Sequence, residues 1–338
     1  MAQPQDKIPN QFHFVWDDKF FPYAYYLAIR SVAMHCQPER IFLFKTPELD
    51  GVPNFERLRR EVACLEPVNI DLAGWLEEAA LPCIQQLLDA NRFLKEHKFH
   101  GSVSDLLRSL NLYLRGGIYL DTDTLTLRDM APLRLHGAFL AEEHILVSSK
   151  VWKRNSRWRY FWSGPLTAAR DLCSRFAHGV RLFQAIAPLY TRVVHNAVMG
   201  CRPGHPLMRD VLLRIAERYP DRPKRYPLLG PDTVQDLIEE NTYDDLRVLP
   251  PRCFSPLGPT MTYQYFHLRG KQRTLATMEK WIVKPDTYVI HWCNNGTIAK
   301  SIPQNDTDLR GLEKRQLFSR FAIRAAFPTG WPEPTGSP

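Results

Sequence analysis

Two aspartates separated by one residue form the segment of the sequence with the most specific chemistry. Asp121 and Asp123 follow the short apolar run Ile118-Tyr-Leu120. Carboxylate oxygens are the ligands that hard divalent cations such as Mg²⁺ and Mn²⁺ prefer. A cation held by such a pair can bridge phosphate oxygens and neutralise the charge that develops on them. The pair therefore predicts a Mn²⁺ or Mg²⁺ site that acts on a phosphate-bearing substrate.

The elements before the pair are expected to position it at the edge of a sheet. The segment Ser102 to Arg115 has leucines at helical spacing, with Ser102 or Ser104 as its cap and Asp105 in its first turn. Gly116 and Gly117 end this helix and allow the backbone to reverse into the strand that precedes Asp121. Open α/β sheets bind ligands outside the carboxyl ends of their strands, which is where this order puts the aspartates.

The rest of the chain indicates an α/β fold. A strand at Gln11 to Trp16, a helix at Tyr23 to Cys36 and a strand at Ile41 to Phe44 form a predicted βαβ unit, and hence a parallel sheet. Further strands are predicted at Gly137 to Ala141, Leu246 to Leu249 and Asp286 to His291. Further helices are predicted over most of Thr167 to Val198, at Pro206 to Arg218 and at Leu312 to Phe327.

Composition places the chain among ordinary globular proteins. Its 338 residues are 44% hydrophobic and 24% charged, which suits one large domain or two fused lobes. It contains no apolar run long enough to cross a membrane and begins with a polar segment, so the sequence predicts a cytoplasmic protein. The seven dispersed cysteines favour reduced thiols over a zinc site. The net charge of +8 favours anionic ligands in general.

Three segments together resemble a known family. They are Ile8 to Trp16, Ser104 to Arg108 and Gly116 to Asp123; weaker echoes are Asn196, Pro203 to Pro206, Gly230-Pro231 and His291-Trp292. The chain resembles the glycosyltransferases whose sugar-binding region contains a DXD motif, which include the initiating α-1,6-mannosyltransferase of yeast, capsular polysaccharide-type enzymes and the clostridial glucosylating toxins. The resemblance implies a GT-A-like, Rossmann-type fold, with a mixed, mainly parallel sheet and helices on both faces. It also implies a nucleotide-sugar donor, a divalent metal and retention of anomeric configuration.

The resemblance implies roles for the residues that match the central motifs. Asp121 is expected to hydrogen-bond the ribose or sugar of the donor and to help hold the metal, and Asp123 to bind the metal directly. Asp105 and Arg108, which share a helix face, are expected to contact the donor sugar and phosphate. Arg108 is further expected to stabilise charge on the leaving group.

Further residues are expected to complete the site. Trp16 is expected to stack on the nucleobase, Asn196 to touch the donor sugar and Trp292 to close over the donor. His291 or Asn294 is expected to complete the metal shell. Glu142 or Glu143, at the end of an apolar strand, is expected to face the acceptor, with Glu142 our first choice of catalytic carboxylate.

These observations predict a single GT-A-like domain over residues 1–327, with a helical insertion at about 150–200 and a disordered tail at 328–338. The predicted activity is transfer of a hexose from a UDP- or GDP-sugar to an unidentified acceptor, which is a glycan, lipid, protein or small metabolite. The alternatives are a non-catalytic protein that binds carbohydrate or nucleic acid, and a metal-dependent nucleotidyl or phosphoryl transferase. The aspartate pair argues against a nucleic-acid site, and the chain lacks the glycine-rich phosphate loop of many phosphoryl transferases. Peripheral membrane contact is left open by the basic, aromatic stretch Lys150 to Arg159 and by the basic helix Leu312 to Phe327.

Overall fold

The computed structural model describes residues 7–145, 157–218, 230–294 and 298–330, with side chains described from residue 162 onward in the helix that begins at Arg157. The strands in these ranges are β1 (Gln11–Trp16), β2 (Arg40–Lys45), β3 (Leu65–Asn69), β4 (Gly117–Leu120), β5 (Thr124–Thr126), β6 (Ala138–Ile145), β7 (Thr191–Cys201), β8 (Leu246–Leu249) and β9 (Val289–His291).

Helices alternate with these strands along the chain. They are α1 (Tyr23–Cys36), α2 (Pro53–Glu61), α3 (Leu72–Ala79), α4 (Ile84–Glu96), α5 (His100–Arg115), α6 (Arg157–Ser174), α7 (Gly179–Ile186), α8 (Pro206–Arg218), α9 (Pro231–Glu240), α10 (Tyr263–Phe266), α11 (Gln272–Ile282), α12 (Asp306–Leu312) and α13 (Leu317–Ala326).

Seven strands form the main sheet in the order β3-β2-β1-β4-β7-β6-β8, and β5 and β9 form a separate antiparallel pair. Strands β1 to β4 are mutually parallel where they pair, and β6 is parallel to β8. Strand β7 is antiparallel to both of its neighbours, β4 and β6. The carboxyl ends of β1, β4 and β6 therefore lie at one edge of the sheet, beside the amino end of β7.

The two faces of the sheet are covered by separate layers of helices. Side chains of alternating residues in β1, such as Phe12 and Phe14 on one side and Val15 on the other, enter two different hydrophobic clusters. One cluster includes α1, α2, α11 and α13, and the other includes α3, α4, α5, α8 and α9. The mixed, mainly parallel α/β architecture with helices on both faces is confirmed.

Most of the predicted elements are present. The strand at Gln11–Trp16 and the helices at Tyr23–Cys36 and Pro206–Arg218 have the predicted bounds. Gly116 and Gly117 do end α5, with φ angles of 63° and 99° in the left-handed region. Helix α5, however, begins at His100, and neither Ser102 nor Ser104 caps it, because both lie inside the helix.

Two predictions about later elements are wrong. Residues Thr191 to Val198 belong to strand β7 and not to a helix, since the β-branched residues Thr191, Val193, Val194 and Val198 favour an extended strand within the sheet. The helix predicted at Leu312 to Phe327 is divided into α12 and α13. Phe318 and Phe321 of α13 are buried against the domain, as is the rest of its apolar side.

Four further predictions concern membrane helices, cysteines, the basic stretch with the tail, and the number of domains. None of the helices in the described ranges is long and apolar enough to span a membrane. None of the seven cysteines forms a disulfide. Most of the stretch Lys150 to Arg159 and residues 331–338 of the predicted tail lie outside the described residues. The assignment of residues 1–327 to one domain stays a prediction.

Candidate metal and donor site

Asp121 is the first residue beyond β4, and its neighbours hold its carboxylate at the edge of the sheet. Its backbone N–H donates to the carbonyl of Ala197 on β7 at 2.7 Å. Its Oδ1 accepts a hydrogen bond from the hydroxyl of Tyr119 at 2.7 Å and lies 3.0 Å from Nη2 of Arg108. Both side-chain contacts use Oδ1, so the second carboxylate oxygen of Asp121 can bind a cation.

Asp123 is held by the segment that follows β9. The backbone N–H of Asn294 donates to Oδ2 of Asp123 at 2.6 Å, and the N–H of Trp292 donates to its carbonyl at 3.0 Å. Nε2 of His291 lies 3.3 Å from Oδ1 of the same carboxylate. Residues far apart in the sequence thus meet because β9 pairs with β5, which directly follows the aspartates.

Asp121, Asp123 and His291 each direct one ligand atom into a common space. These three atoms lie within 4.8 Å of one another, and all three side chains are partly buried. Two carboxylates and one imidazole form a donor set that a divalent cation such as Mn²⁺ accepts. Nδ1 of His291 lies 3.5 Å from the sulfur of Cys293, a contact that helps to orient the ring with Nε2 toward Asp123. The residues therefore fit the predicted metal.

Arg108 links the metal ligands to helix α5. Because α5 runs antiparallel to β4, its amino-terminal half lies beside the carboxyl end of that strand. Nη2 of Arg108 lies 3.3 Å from Asp105 and 3.0 Å from Asp121, and Nη1 donates to the carbonyl of Asn196 at 2.6 Å. Its guanidinium carbon lies 4.3 Å from the centre of the Tyr119 ring. A buried cation with two carboxylates and an aromatic face has a fixed position and orientation.

Asp105 and Asn196 form the other side of this network. The side-chain amide of Asn196 donates to Oδ1 of Asp105 at 2.6 Å. Gly230 packs directly against both, since a Cβ built on it would lie 2.2 Å from the amide nitrogen of Asn196 and 2.7 Å from the Asp105 oxygens. The Gly230-Pro231 motif therefore lies at the site, and the close packing explains why this position is a glycine.

Burial and charge set the protonation of these groups. Burial raises the pKa of Asp105 to about 6, although Arg108 opposes the shift. Burial also raises the pKa of Asp121. Burial acts in the same direction on Asp123, but His291 and the Asn294 N–H outweigh it and hold the pKa of Asp123 below its ordinary value. Of these three carboxyl groups, Asp123 is therefore the one that is most firmly ionised.

Trp16 lies at the end of β1, on the same side of the sheet as Tyr25 of α1. The two rings meet edge to face with centroids 4.7 Å apart, and the indole N–H of Trp16 donates to the carbonyl of Phe20 at 2.7 Å. Tyr25 in turn accepts a hydrogen bond from the amide of Asn294 at 2.9 Å. Trp16 is partly buried, so it is anchored beside the site while part of its ring stays accessible.

Trp292 does not have the position expected of a residue that closes over a ligand. Its ring is fully buried and packs against Phe266, Phe318 and Tyr25. No face of the indole is left for a donor, because the hydrophobic core occupies the space around it. Trp292 instead supports the His291 segment from inside the domain.

The structure places Glu142 and Glu143 in different surroundings. Glu142 forms an ion pair with Arg192 at 3.3 Å, on the face of β6 that leads toward Leu140 and Ala138. Glu143 lies on the opposite face, where its surroundings include His291, Asp121 and Asp123, and burial raises its pKa. Its Oε2 is buried without a hydrogen-bond partner among the described residues. Side chains alternate along a strand, so only one of the two glutamates can face the metal ligands.

Three residues of the site were missing from the sequence prediction. Tyr119, two positions before Asp121, bonds to it and to Ser104; its place in the strand could have indicated a shared face. Tyr25 lies in the first turn of the helix after β1, where βα units bring residues to the carboxyl edge. His195 stacks on His291 with ring centroids 5.9 Å apart, and a lone histidine in an apolar strand carries no signal of this.

The chain has distant structural likenesses to several solved glycosyltransferases. A structure described as PaToxG glycosyltransferase is 13% identical in sequence, with a TM-score of 0.45. The alignment covers 91% of this chain and 88% of the PaToxG chain. Galactosyltransferase LgtC in complex with donor and acceptor sugar analogues is 14% identical, with coverages of 96% and 98% and a TM-score of 0.43. Mouse xyloside xylosyltransferase 1 is 11% identical, with coverages of 85% and 98% and a TM-score of 0.40.

These structural likenesses are too distant to bear on substrate or mechanism, since each TM-score is below 0.5. No curated protein matches the sequence. Residues 7–140 match the family described as glycosyltransferase sugar-binding region containing DXD motif. This range includes β1, α5, β4 and both aspartates, so the match confirms the resemblance to the DXD-motif glycosyltransferases.

Proposed function

We propose that the protein is a metal-dependent hexosyltransferase that uses a UDP- or GDP-sugar and retains the anomeric configuration of the donor. The observation that carries this proposal is the convergence of Asp121, Asp123 and His291, with ligand atoms within 4.8 Å, beside the buried guanidinium of Arg108. A nucleoside diphosphate leaving group needs this combination of metal ligands and fixed positive charge.

The donor is expected to lie across the carboxyl ends of β1 and β4. In this pose the nucleobase stacks on the accessible part of Trp16, and the diphosphate lies beside Asp121 and Asp123. Asp105 and Asn196, bonded to each other at 2.6 Å, have hydrogen-bonding capacity left for the hydroxyls of the sugar. The sugar is therefore held between α5 and the start of β7.

Mn²⁺ or Mg²⁺, when bound, neutralises charge on the leaving diphosphate. Arg108 adds a fixed positive charge that requires no rearrangement during the reaction, because its contacts with the protein already hold it. Glu143 is the carboxyl group best situated to orient an acceptor hydroxyl, since it faces the metal ligands from β6. We propose attack on the donor face from which the diphosphate leaves, as the family resemblance implies.

Release of nucleoside diphosphate in the absence of acceptor is the first test. The purified protein is incubated with Mn²⁺ or Mg²⁺ and a panel of UDP- and GDP-sugars, and free diphosphate is measured. We expect slow hydrolysis of one donor, abolished by EDTA and lowered about 100-fold or more by Asp123→Asn. Asp89→Asn, at a partly exposed position of α4, is the matched control and is expected to keep full activity.

Metal binding is tested separately from turnover. We expect Mn²⁺ to raise the melting temperature of the wild type, since a ligand that binds only the folded state stabilises it, and not that of Asp123→Asn. Proton NMR of the first sugar released should give the anomer present in the donor. Donor binding without release from any sugar of the panel would instead favour a non-catalytic carbohydrate-binding protein.

A further inference from the structure

The net charge of the protein is concentrated in one segment. Nine of the 44 basic residues and one of the 36 acidic residues lie between residues 146 and 192, which leaves 35 of each in the rest of the chain. The net charge of this segment, +8, therefore equals that of the whole protein. Between Trp162 and Leu189, the part of this segment whose side chains the structure describes, Arg170, Arg175 and Arg181 stand against Asp171 alone, which gives a net charge of +2.

The same segment exposes large apolar side chains. Half of the exposed large hydrophobic residues found in the described ranges belong to it: Trp162, Leu172, Phe176, Leu182 and Leu189. On α7, Val180 and Phe183 are buried in the core, while Arg181 and Leu182 are exposed. On α6, Cys173 is buried while Leu172 is exposed, and Arg175, directly after the helix, is exposed as well. An exposed arginine thus lies close in sequence to an exposed leucine both on α7 and at the end of α6.

The chain enters and leaves this segment at the edge of the sheet that carries the candidate site. Strand β6 ends at Ile145 and β7 begins at Thr191, and these two residues are paired in the ladder. Glu143 and His195, which face the metal ligands, lie next to this end of the two strands. Both ends of the segment are therefore anchored at the edge of the sheet that carries the candidate site.

We propose that the exposed faces of α6 and α7, from Trp162 to Leu189, dock on an anionic lipid bilayer. Positive charge attracts acidic headgroups, and exposed leucine and aromatic side chains enter the interface, a combination typical of peripheral membrane helices. A nucleic acid backbone satisfies the arginines but offers no apolar environment to the leucines. A second copy of the chain is disfavoured because each copy would present the same net positive face.

Docking in this orientation brings the carboxyl edge of the sheet to the membrane. An acceptor carried by the bilayer then reaches the site without leaving the lipid. This consequence rests on the proposed transferase activity, but the docking itself does not, so the two can be tested apart.

Co-sedimentation with vesicles tests the docking. We expect binding to phosphatidylcholine vesicles that contain phosphatidylglycerol, little binding to pure phosphatidylcholine, and release at high salt. The double variant Arg175→Glu/Arg181→Glu should lower the partition coefficient about tenfold or more, and Leu182→Ser/Leu189→Ser should lower it several-fold. The matched control is Arg247→Glu/Val248→Ser, which changes an exposed arginine and an exposed valine of β8 and should bind like the wild type.

Three outcomes would overturn the proposal. One is no sedimentation with anionic vesicles, and another is an equal loss in the β8 control. The third is tight binding of a fluorescent oligonucleotide that the arginine variant abolishes and the leucine variant leaves intact. Hydrolysis of donor in vesicle-free solution should be unchanged in all the variants, which separates a failure of docking from a failure of the proposed activity.

Discussion

The neighbouring residues Glu142 and Glu143 of β6 have different contacts, because their side chains lie on opposite faces of the sheet. Glu143 faces His291 and the aspartates, and Glu142 pairs with Arg192 on the other side. The two residues have the same chemistry and nearly the same place in the chain. Substitution of Glu143 therefore tests the site, and the same substitution of Glu142 is the control for loss of a carboxylate from this strand.

We expect Glu143→Gln to lower transfer at saturating donor by about 100-fold, since a group that orients a reacting hydroxyl contributes roughly this much. Glu142→Gln should stay within about twofold of the wild type, because a half-exposed ion pair contributes little. Initial rates with acceptor measure both variants. Equal losses in the two would contradict the assignment of Glu143.

Arg108 is the residue on which the other side chains of the site depend most. It is only 4% exposed and contacts Asp105, Asp121 and the carbonyl of Asn196. Arg108→Met is expected to cost about 3–5 kcal/mol of unfolding free energy, because two carboxylates lose their partner in a buried setting. Urea unfolding at neutral pH measures this loss.

Arg92→Met, at an exposed position of α4, is the control for Arg108 and should change the unfolding free energy by less than about 0.5 kcal/mol. A loss below about 1 kcal/mol in Arg108→Met would mean that water reaches the carboxylates and replaces the guanidinium. Donor turnover in Arg108→Lys distinguishes the effect of the positive charge from that of the hydrogen-bond geometry. Lysine keeps the charge but cannot bond to several acceptors in one plane.

At the scale of residues, the sequence predicts the aspartates, Asp105, Arg108 and His291 because they belong to motifs or to helix spacing. It does not predict the roles of Tyr25 and His195, whose importance arises from packing between distant segments. The sequence predicts that Glu142 or Glu143 faces the acceptor, because both are carboxylates at the end of an apolar strand. The choice of face required the register of β6 on β7, which includes an irregularity between Phe139 and Ala141.

Among the elements, the turn between α5 and β4 has the strictest sequence requirement. Gly117 has a φ of 99°, and a Cβ built there would lie 2.6 Å from the carbonyl oxygen of Gln11. Both the backbone conformation and the contact exclude a side chain. The turn therefore sets the distance between α5, with Arg108, and β4, with Asp121.

We expect Gly117→Ala to lower the unfolding free energy by about 2 kcal/mol or more, because the strained backbone and the contact with Gln11 add. Gly101→Ala in α5 is the control, since nothing lies within 4 Å of its built Cβ. That change should be neutral or stabilise by up to about 1 kcal/mol. Thermal and urea unfolding measure both, and equal effects would contradict the account of the turn.

The elements that the sequence predicts best are those with simple local periodicity. Strand β1 and helices α1 and α8 have the predicted bounds because one face of each is apolar at the right spacing. The sequence predicts a helical region over Thr191 to Val198 of β7, because from Val194 onward the strand is buried and lacks the alternation of a half-exposed strand. Its place between β4 and β6 depends on pairing that no local pattern encodes.

For the molecule as a whole, acid sensitivity follows from histidines buried in the core. His13 on β1 is fully buried, stacks on Phe42 and Phe44, and has a ring nitrogen 2.7 Å from the Gly116 carbonyl. Burial lowers its pKa to about 3. In the unfolded chain a histidine titrates near pH 6.5, so acid protonates the unfolded state first.

The contribution of His13 to stability is therefore complete above about pH 6.5 and is lost as the pH falls toward 3. We expect the unfolding free energy to decrease in this window by up to about 1.4 kcal/mol per pH unit from this residue alone. Urea unfolding at pH 7.5, 6 and 5 measures the slope. His13→Phe should reduce the slope by about that amount, and an unchanged slope would show that His13 is protonated in the folded protein.

The order of strands in the main sheet determines when the site can come into existence during synthesis. Strand β6 joins β4 only through β7, which is made about 50 residues later, and His291 reaches Asp123 only after β9 pairs with β5. At translation rates of about 5–20 residues per second, roughly 10–30 s separate Asp121 from His291. A nascent chain that already contains the DXD motif has an open edge at β4 and an incomplete metal shell. The growing polypeptide should therefore be inactive and most in need of chaperones until β9, with His291, has left the ribosome.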